Sequence, residues 1–175
     1  MLQTNIIKND MEKGLLVPDM AAAFRRKATS QNSIVYIVDD DFDDRLFAYT
    51  MLRRSERVAE VRPVKCAESL FKCLESAGIY DSAMLGYTPS IILLDINMPG
   101  LNGIETLERI RSHPATGEIP VILLSSDLSC ERVYDAYRLH ANGFLEKPLD
   151  LEKFHYVLDT GWNGSSAGPE HSNRH

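Results

Sequence analysis

Aspartates follow two of the apolar runs in this chain of 175 residues. Asp39 and Asp40 come directly after the run 34–38, and Asp95 ends the run that begins at Ile91. Neighbouring carboxylates repel one another and raise one another's pKa unless a cation lies among them. Since oxygen ligands suit a hard divalent ion, the three aspartates together favour Mg²⁺ as a cofactor.

A hydroxyl group and an ammonium group stand at the ends of two further apolar runs. Ser125-Ser126 follow the run 120–124, and Lys147-Pro148 follow the run 143–146. A lysine and a serine beside a metal can bind an anion on that metal, and the simplest such anion is a phosphoryl group. The residue types therefore predict phosphoryl chemistry, provided that the four strand ends meet.

Parallel strands would bring these ends together, because open α/β sheets place their chemistry at the carboxyl edge. Aliphatic runs without polar alternation are typical of strands that are buried on both faces. Helical patterns separate the runs, which indicates βαβ units. The pattern predicts strands near 34–39, 59–65, 91–95, 120–125 and 143–146, and helices near 43–55, 68–77, 103–112, 129–140 and 151–160.

The first predicted helix has acidic residues at its start and apolar residues along its length. Asp41, Asp43 and Asp44 are weaker candidates for the acidic site, and we prefer the interpretation that they cap the helix and favour the positive end of its dipole. Its spacing predicts core contacts for Leu46, Phe47, Tyr49 and Leu52.

The region Ser33–Asp159 resembles the receiver domains of two-component response regulators. The resemblance depends on the acidic pair, Asp95, Ser125 and the Lys147-Pro148 pair, and on the segment Asp-Ile-Asn-Met-Pro-Gly-Leu-Asn-Gly from Asp95 to Gly103, which is similar to the family's phosphorylation loop.

The predicted fold is an α/β, flavodoxin-like, doubly wound sheet of five parallel strands flanked by five helices. Its strand order, 2-1-3-4-5, is carried over from known proteins of this fold and puts the three aspartates at the switch point between strands one and three. Residues 33–160 would form the receiver domain. The sequence predicts a mobile extension over residues 1–32 and a disordered tail over residues 161–175.

The resemblance implies a role for each site residue. Asp95 would accept the phosphoryl group. Asp40, Asp95 and the backbone carbonyl of Asn97 would bind Mg²⁺ directly, and Asp39 directly or through water. Lys147 would pair with Asp95 at rest and with the phosphoryl oxygens afterwards, and Ser125 would hydrogen-bond the phosphoryl group.

Further residues would transmit or time the switch. The bond before Pro148 is often cis in this family, which would aim the lysine inward. Phe144 lies where family members often carry a switch aromatic, although core packing is an equally good interpretation. Asn97 and Asp127 lie where the family tunes the lifetime of the phosphoryl group.

The implied donor is a sensor histidine kinase or a phosphotransfer protein. A narrower resemblance, to regulators paired with phytochrome-type light sensors, is carried by the loop after the second helix and by the segments 111–118 and 137–143. The face made of the helix 129–140, the strand 143–146 and the helix 151–160 would bind a partner or a second copy of the chain. Apart from its own phosphorylation and dephosphorylation, the chain is not predicted to be an enzyme.

Two other functions remain open. The chain could be a phosphorelay intermediate or a phosphate sink without an output. A phosphatase of the haloacid-dehalogenase type would instead use Asp39 as nucleophile and Asp41 as acid, but the other motifs of that class are missing.

Composition narrows the class of protein. The net charge of -6 argues against nucleic-acid binding, which favours a basic surface. No two of the three cysteines form a C-x-x-C pair. This indicates that their thiols are reduced and that the protein is cytoplasmic. Since no apolar stretch approaches the length of a bilayer span, no membrane partner is predicted.

Overall fold

The computed structural model describes residues 33–80, 89–126 and 138–160. The predicted extension 1–32, the predicted tail 161–175 and most of the predicted helix 129–140 lie outside the described residues. Within the described part of the chain, no helix combines the length and the apolar character needed to cross a bilayer.

The five predicted strands form one parallel sheet with the order β2-β1-β3-β4-β5, as predicted. Their bounds are β1 Ile34–Val38, β2 Glu60–Val64, β3 Ile91–Asp95, β4 Val121–Ser125 and β5 Gly143–Glu146. Strand β1 pairs with both β2 and β3, so the order reverses beside β1. The predicted switch point is therefore confirmed.

Four helices connect and cover the strands in the described ranges. Their bounds are α1 Phe42–Leu52, α2 Ala67–Ser76, α3 Gly103–Ser112 and α4 Leu151–Thr160. The bounds of α3 and α4 agree with the prediction, and those of α1 and α2 differ by one to three residues.

Alternate residues of each strand point to opposite faces of the sheet and form two cores. On one face, Val35 and Ile37 of β1 pack with α1 and α4. On the other face, Tyr36 and Val38 pack with α2 and α3. Both faces of the central strands are covered, so the strand ends are the part of the sheet left for chemistry.

The apolar face predicted for α1 is wrong at two positions. Leu46 is 48% exposed and Phe47 is 44% exposed, whereas the buried residues of the helix are Ala48 and Leu52. The helix rests on the sheet through a narrow stripe with spacing i, i+4, since the small side chain of Ala48 allows close approach. Helix propensity and residue hydrophobicity alone could not identify Ala48 and Leu52 as the buried stripe.

The loop between β3 and α3 is fixed at its far end by close backbone packing. The amide of Gly103 donates to the carbonyl oxygen of Ile96 over 3.0 Å. A Cβ atom at Gly103 would lie 2.3 Å from the carbonyl oxygen of Asp95 and 2.7 Å from the Cα of Ile96. Asn102 and Glu105 then begin α3 with a reciprocal capping box. The loop that starts at Asp95 is thus held by the helix that follows it.

Helix α4 is tied to the turn after α1. His155 Nε2 lies 2.8 Å from Ser55 Oγ, and Arg57 makes a two-bond ion pair with Asp159 at 2.8 and 3.2 Å. Burial lowers the pKa of His155, as does the positive charge of Arg57, while the charge of Asp159 opposes this.

Replacing Gly103 with alanine is expected to destabilise the domain by about 2 kcal/mol or more, because the new methyl group meets backbone atoms that cannot move aside. Gly143→Ala is the matched control, since its Cβ would meet Val157 Cγ1, a side-chain atom, at 2.8 Å. Urea unfolding measures both losses. A loss for Gly103→Ala no larger than that for Gly143→Ala would contradict the close-packing argument.

His155→Gln is expected to flatten the pH dependence of stability. Because the folded pKa of His155 is lowered, its contribution is present above the unfolded pKa, about 6.5, and is lost as pH falls through the folded value. The free energy of unfolding should therefore fall less between pH 7.5 and pH 5 in the variant than in the wild type. Parallel curves for the two proteins in urea titrations at each pH would show that His155 does not contribute.

Candidate functional site

Three of the four predicted metal ligands meet at the carboxyl edge of the sheet. Val38 and Leu94 are partners in the parallel β1–β3 register, so Asp39 and Asp95 are the next residues of neighbouring strands. One carboxylate oxygen from each of Asp39, Asp40 and Asp95 lies within 4.8 Å of the others. A cluster of three carboxylates, with Asp40 exposed to solvent, has the donor chemistry that suits Mg²⁺.

Lys147 contacts two carboxylates of this cluster and a third carboxylate on α1. Its Nζ lies 2.8 Å from Asp39 Oδ2, 3.2 Å from Asp95 Oδ1 and 3.1 Å from Asp44 Oδ2. Its backbone amide donates to the carbonyl oxygen of Ser125 over 2.9 Å, and the bond to Pro148 is cis, as the sequence suggested. Lys147 is therefore held through both its backbone and its side chain.

The site holds more negative charge than its lysine balances. Burial alone would lower the pKa of Lys147, but the hydrogen bond and charge of Asp39, with the charge of Asp95 and the hydrogen bond of Asp44, raise it above its usual range. Burial and the charge of Asp95 raise the pKa of Asp39, while the hydrogen bond and charge of Lys147 lower it, and the net result is a pKa above its usual value. The electrostatics favour one further cation among the carboxylates.

Asp44 contacts the site lysine, although the sequence analysis favoured a helix-capping role for it. Only Asp41 caps α1: its Oδ1 accepts the amides of Asp43 and Asp44 over 2.9 and 3.0 Å. The side chain of Asp44 instead turns to Lys147. Asp44 lies four residues before Ala48 on the buried stripe of α1, and because the sequence did not identify that stripe, it gave no signal for this role.

The predicted hydroxyl lies next to Asp95 in the sheet. Asp95 is the register partner of Leu124, and Ser125 is the following residue. Ser125 is fully buried, whereas Ser126 is exposed. The structure thus brings Ser125, rather than its neighbour, into the protein interior at this edge.

The residues predicted to transmit or time a switch are less closely grouped. Asn97 is exposed, two residues after Asp95. Phe144 is half-buried and packs against the core under α2 and α3, in agreement with the core interpretation. Asp127 lies outside the described residues.

A family model described as the response regulator receiver domain matches residues 35–159. Among curated proteins, the chain is 28% identical over 119 residues to the response regulator Rcp1 of Synechocystis, a match that covers 68% of this chain and 79% of Rcp1. It is 29% identical over 130 residues to the DNA-binding transcriptional regulator NtrC of Klebsiella pneumoniae. That match covers 74% of this chain but only 24% of NtrC.

Solved structures of response regulators are similar to this fold. The phosphorylated cyanobacterial phytochrome response regulator RcpA matches with a TM-score of 0.59 and 28% identity, over 73% of this chain and 89% of that chain. The Mn²⁺-bound form of Rcp1 matches with a TM-score of 0.54 and 25% identity, over the same two shares.

Replacing Lys147 with methionine is expected to destabilise the protein by roughly 3 kcal/mol in EDTA, because it leaves Asp39 and Asp95 as unpaired buried carboxylates. Mg²⁺ should then raise the melting temperature of the variant more than that of the wild type, since the ion replaces the missing positive charge. Lys153→Met, at an exposed lysine of α4, is the control. Equal losses for the two variants would contradict this account.

Proposed function

The chain belongs to the response regulator receiver family of two-component signalling, and on that premise we propose that Asp95 accepts a phosphoryl group from a sensor histidine kinase. The supporting observation is the position of Asp95: it is 3% exposed, ends the central strand β3, and lies beside both the acidic pair and Lys147. The carboxylate is thus fixed among groups that can bind a metal ion and a phosphoryl group.

In the proposed reaction, a carboxylate oxygen of Asp95 attacks the phosphorus of the donor. An O–P bond forms, the bond between phosphorus and the donor breaks, and the donor leaves with that electron pair, which gives an aspartyl phosphate. Lys147, now 3.2 Å from Asp95 Oδ1, would turn to the phosphoryl oxygens, and the hydroxyl of Ser125 would donate to one of them.

Mg²⁺ fits the donor set of this site, with Asp39, Asp40, Asp95 and the backbone carbonyl of Asn97 as proposed ligands. When bound, it would neutralise charge on the transferred phosphoryl oxygens. Two observations support this cofactor: the pKa of Asp39 is raised by burial and by the neighbouring charge of Asp95 even with Lys147 present, and Rcp1 has been solved in an Mn²⁺-bound form.

The proposed output is a change in a protein-binding face. A phosphoryl group adds charge at Asp95 and would draw Ser125 and Lys147 toward it, and Lys147 directly follows the last residue of β5. Phe144 would respond through packing, since it lacks a hydroxyl group. The face that includes β5 and α4 would then bind a partner or a second copy of the chain.

The donor and the timing of the switch belong to the same proposal. The similarity to the phytochrome response regulator RcpA supports a phytochrome-type kinase as the donor, with a phosphotransfer protein as the alternative. Asn97 and Asp127 would set the lifetime of the phosphoryl group by controlling the approach of water. The chain would catalyse only its own phosphorylation and dephosphorylation, in the cytoplasm, where kinases use ATP.

The geometry does not favour the phosphatase alternative. That reaction needs Asp41 as a proton donor beside Asp39. Asp41 Oδ1 accepts two amides at the start of α1, and these hydrogen bonds lower the pKa of its carboxyl group. An ionised capping carboxylate is a poor proton donor. Because the phosphatase reaction at Asp39 would lack its acid, Asp95 is the better acceptor of the phosphoryl group.

Incubation with acetyl phosphate and Mg²⁺ is expected to add about 80 Da, one phosphoryl group, to the intact protein. EDTA should prevent the gain, and so should Asp95→Asn, because each removes a group required for the transfer. Intact-mass spectrometry measures the gain, and peptide mapping after reduction of the acyl phosphate with borohydride locates it.

Asp150→Asn is the control, since Asp150 caps α4 and belongs neither to the carboxylate cluster nor to the ion pairs of Lys147 in the described residues, so this variant should gain the phosphoryl group like the wild type. Modification at Asp39, or a gain that persists in Asp95→Asn, would reject Asp95 as the acceptor.

A further inference from the structure

The ion pair between Asp44 and Lys147 points to a residue that controls the reaction from outside the metal cluster. We propose that Asp44 is a positioning residue that restrains Lys147 and thereby slows phosphorylation of Asp95. This inference rests on the proposed function, because it concerns the rate of that same transfer.

Two hydrogen bonds fix Asp44, one through its backbone and one through its carboxylate. Its amide donates to the capping side chain of Asp41 over 3.0 Å, in the first turn of α1. Its Oδ2 accepts from Lys147 Nζ over 3.1 Å. The side chain of Asp44 is 45% exposed, compared with 1% for Asp39 and 4% for Asp95, so Asp44 approaches the ammonium group from the solvent side.

Competition for the lysine follows from the number of its donors. An ammonium group has three N–H donors, and three carboxylates lie within 3.2 Å of Lys147 Nζ. A phosphoryl group on Asp95 brings new acceptor oxygens, so at least one of these contacts must break before Lys147 can bind them.

Asp44 differs from the other two carboxylates in that it does not belong to the cluster suited to a metal. Asp39 and Asp95 belong to the cluster of possible metal ligands, and a bound cation would weaken their hold on the ammonium group. Asp44 lies outside that cluster and would keep its full attraction for Lys147. Its charge would also repel an anionic phosphoryl donor. Both effects lower the rate of transfer.

The effect should be small and measurable. Because Asp44 is half-exposed, its contact with Lys147 belongs to the class of partly solvated ion pairs, whose strength corresponds to about a two- to fivefold change in rate. Asp44→Asn removes the charge and keeps the size of the side chain, so the variant should be phosphorylated faster by that factor.

Asp43→Asn is the matched control. Asp43 is the preceding residue of the same helix turn, carries the same charge and is exposed, and no ion pair joins it to Lys147 among the described residues. Each variant removes one acidic group from the start of α1, so the two lose the same favourable interaction with the helix dipole, and urea unfolding measures any further loss from the broken ion pair of Asp44. The control should be phosphorylated at a rate close to that of the wild type.

The experiment follows the intact mass of the full chain over time with acetyl phosphate and Mg²⁺ for the wild type and both variants. A faster Asp44→Asn beside an unchanged Asp43→Asn supports the restraint, and a purely structural role would not accelerate the transfer. An unchanged or slower Asp44→Asn overturns it. Equal acceleration of both variants also overturns it, in favour of a general effect of charge. A wild type that gains no mass rejects the proposed function itself, and the inference fails with it.

Discussion

The contact of one ammonium group with buried carboxylates is the interaction on which this site depends. Asp39 and Asp95 end neighbouring strands and are almost completely buried, and two ionised carboxylates in that position are costly unless a cation lies between them. Lys147 supplies that cation, while its backbone amide bonds to Ser125 of the adjacent strand. A single residue therefore links the carboxyl ends of β1, β3, β4 and β5.

The same interaction makes the site able to change. Lys147 alone does not fully compensate the carboxylates, since the pKa of Asp39 remains raised by burial and by the charge of Asp95. The electrostatics of the cluster therefore favour a second cation. In the proposed function, an added metal ion or phosphoryl group would alter which oxygens hold the ammonium group, and Lys147 and Ser125 would shift in response.

The sequence predicted the sheet well for a physical reason. Strands that are buried on both faces must be aliphatic throughout, so β3 and β4 are visible as unbroken runs, and polar residues just after them lie at the edge. The site residues Asp39, Asp95 and Lys147 were identified in this way. Their individual roles came from the family resemblance. Long-range contacts between polar side chains, such as that between Ser55 and His155, leave no periodic pattern and were not predicted.

The wrongly predicted buried face of α1 and the wrongly predicted role of Asp44 have a common cause. Successive residues of a helix are rotated by about 100°, so burying Phe47 instead of Ala48 would turn the helix by that angle. The stripe facing the sheet would then continue back to Asp43, and Asp44 would point away from Lys147. By resting on the small Ala48, the helix leaves Phe47 exposed at 44% and brings Asp44 within 3.1 Å of the ammonium group. The exposed phenylalanine and the added carboxylate of the site are two consequences of one helix rotation.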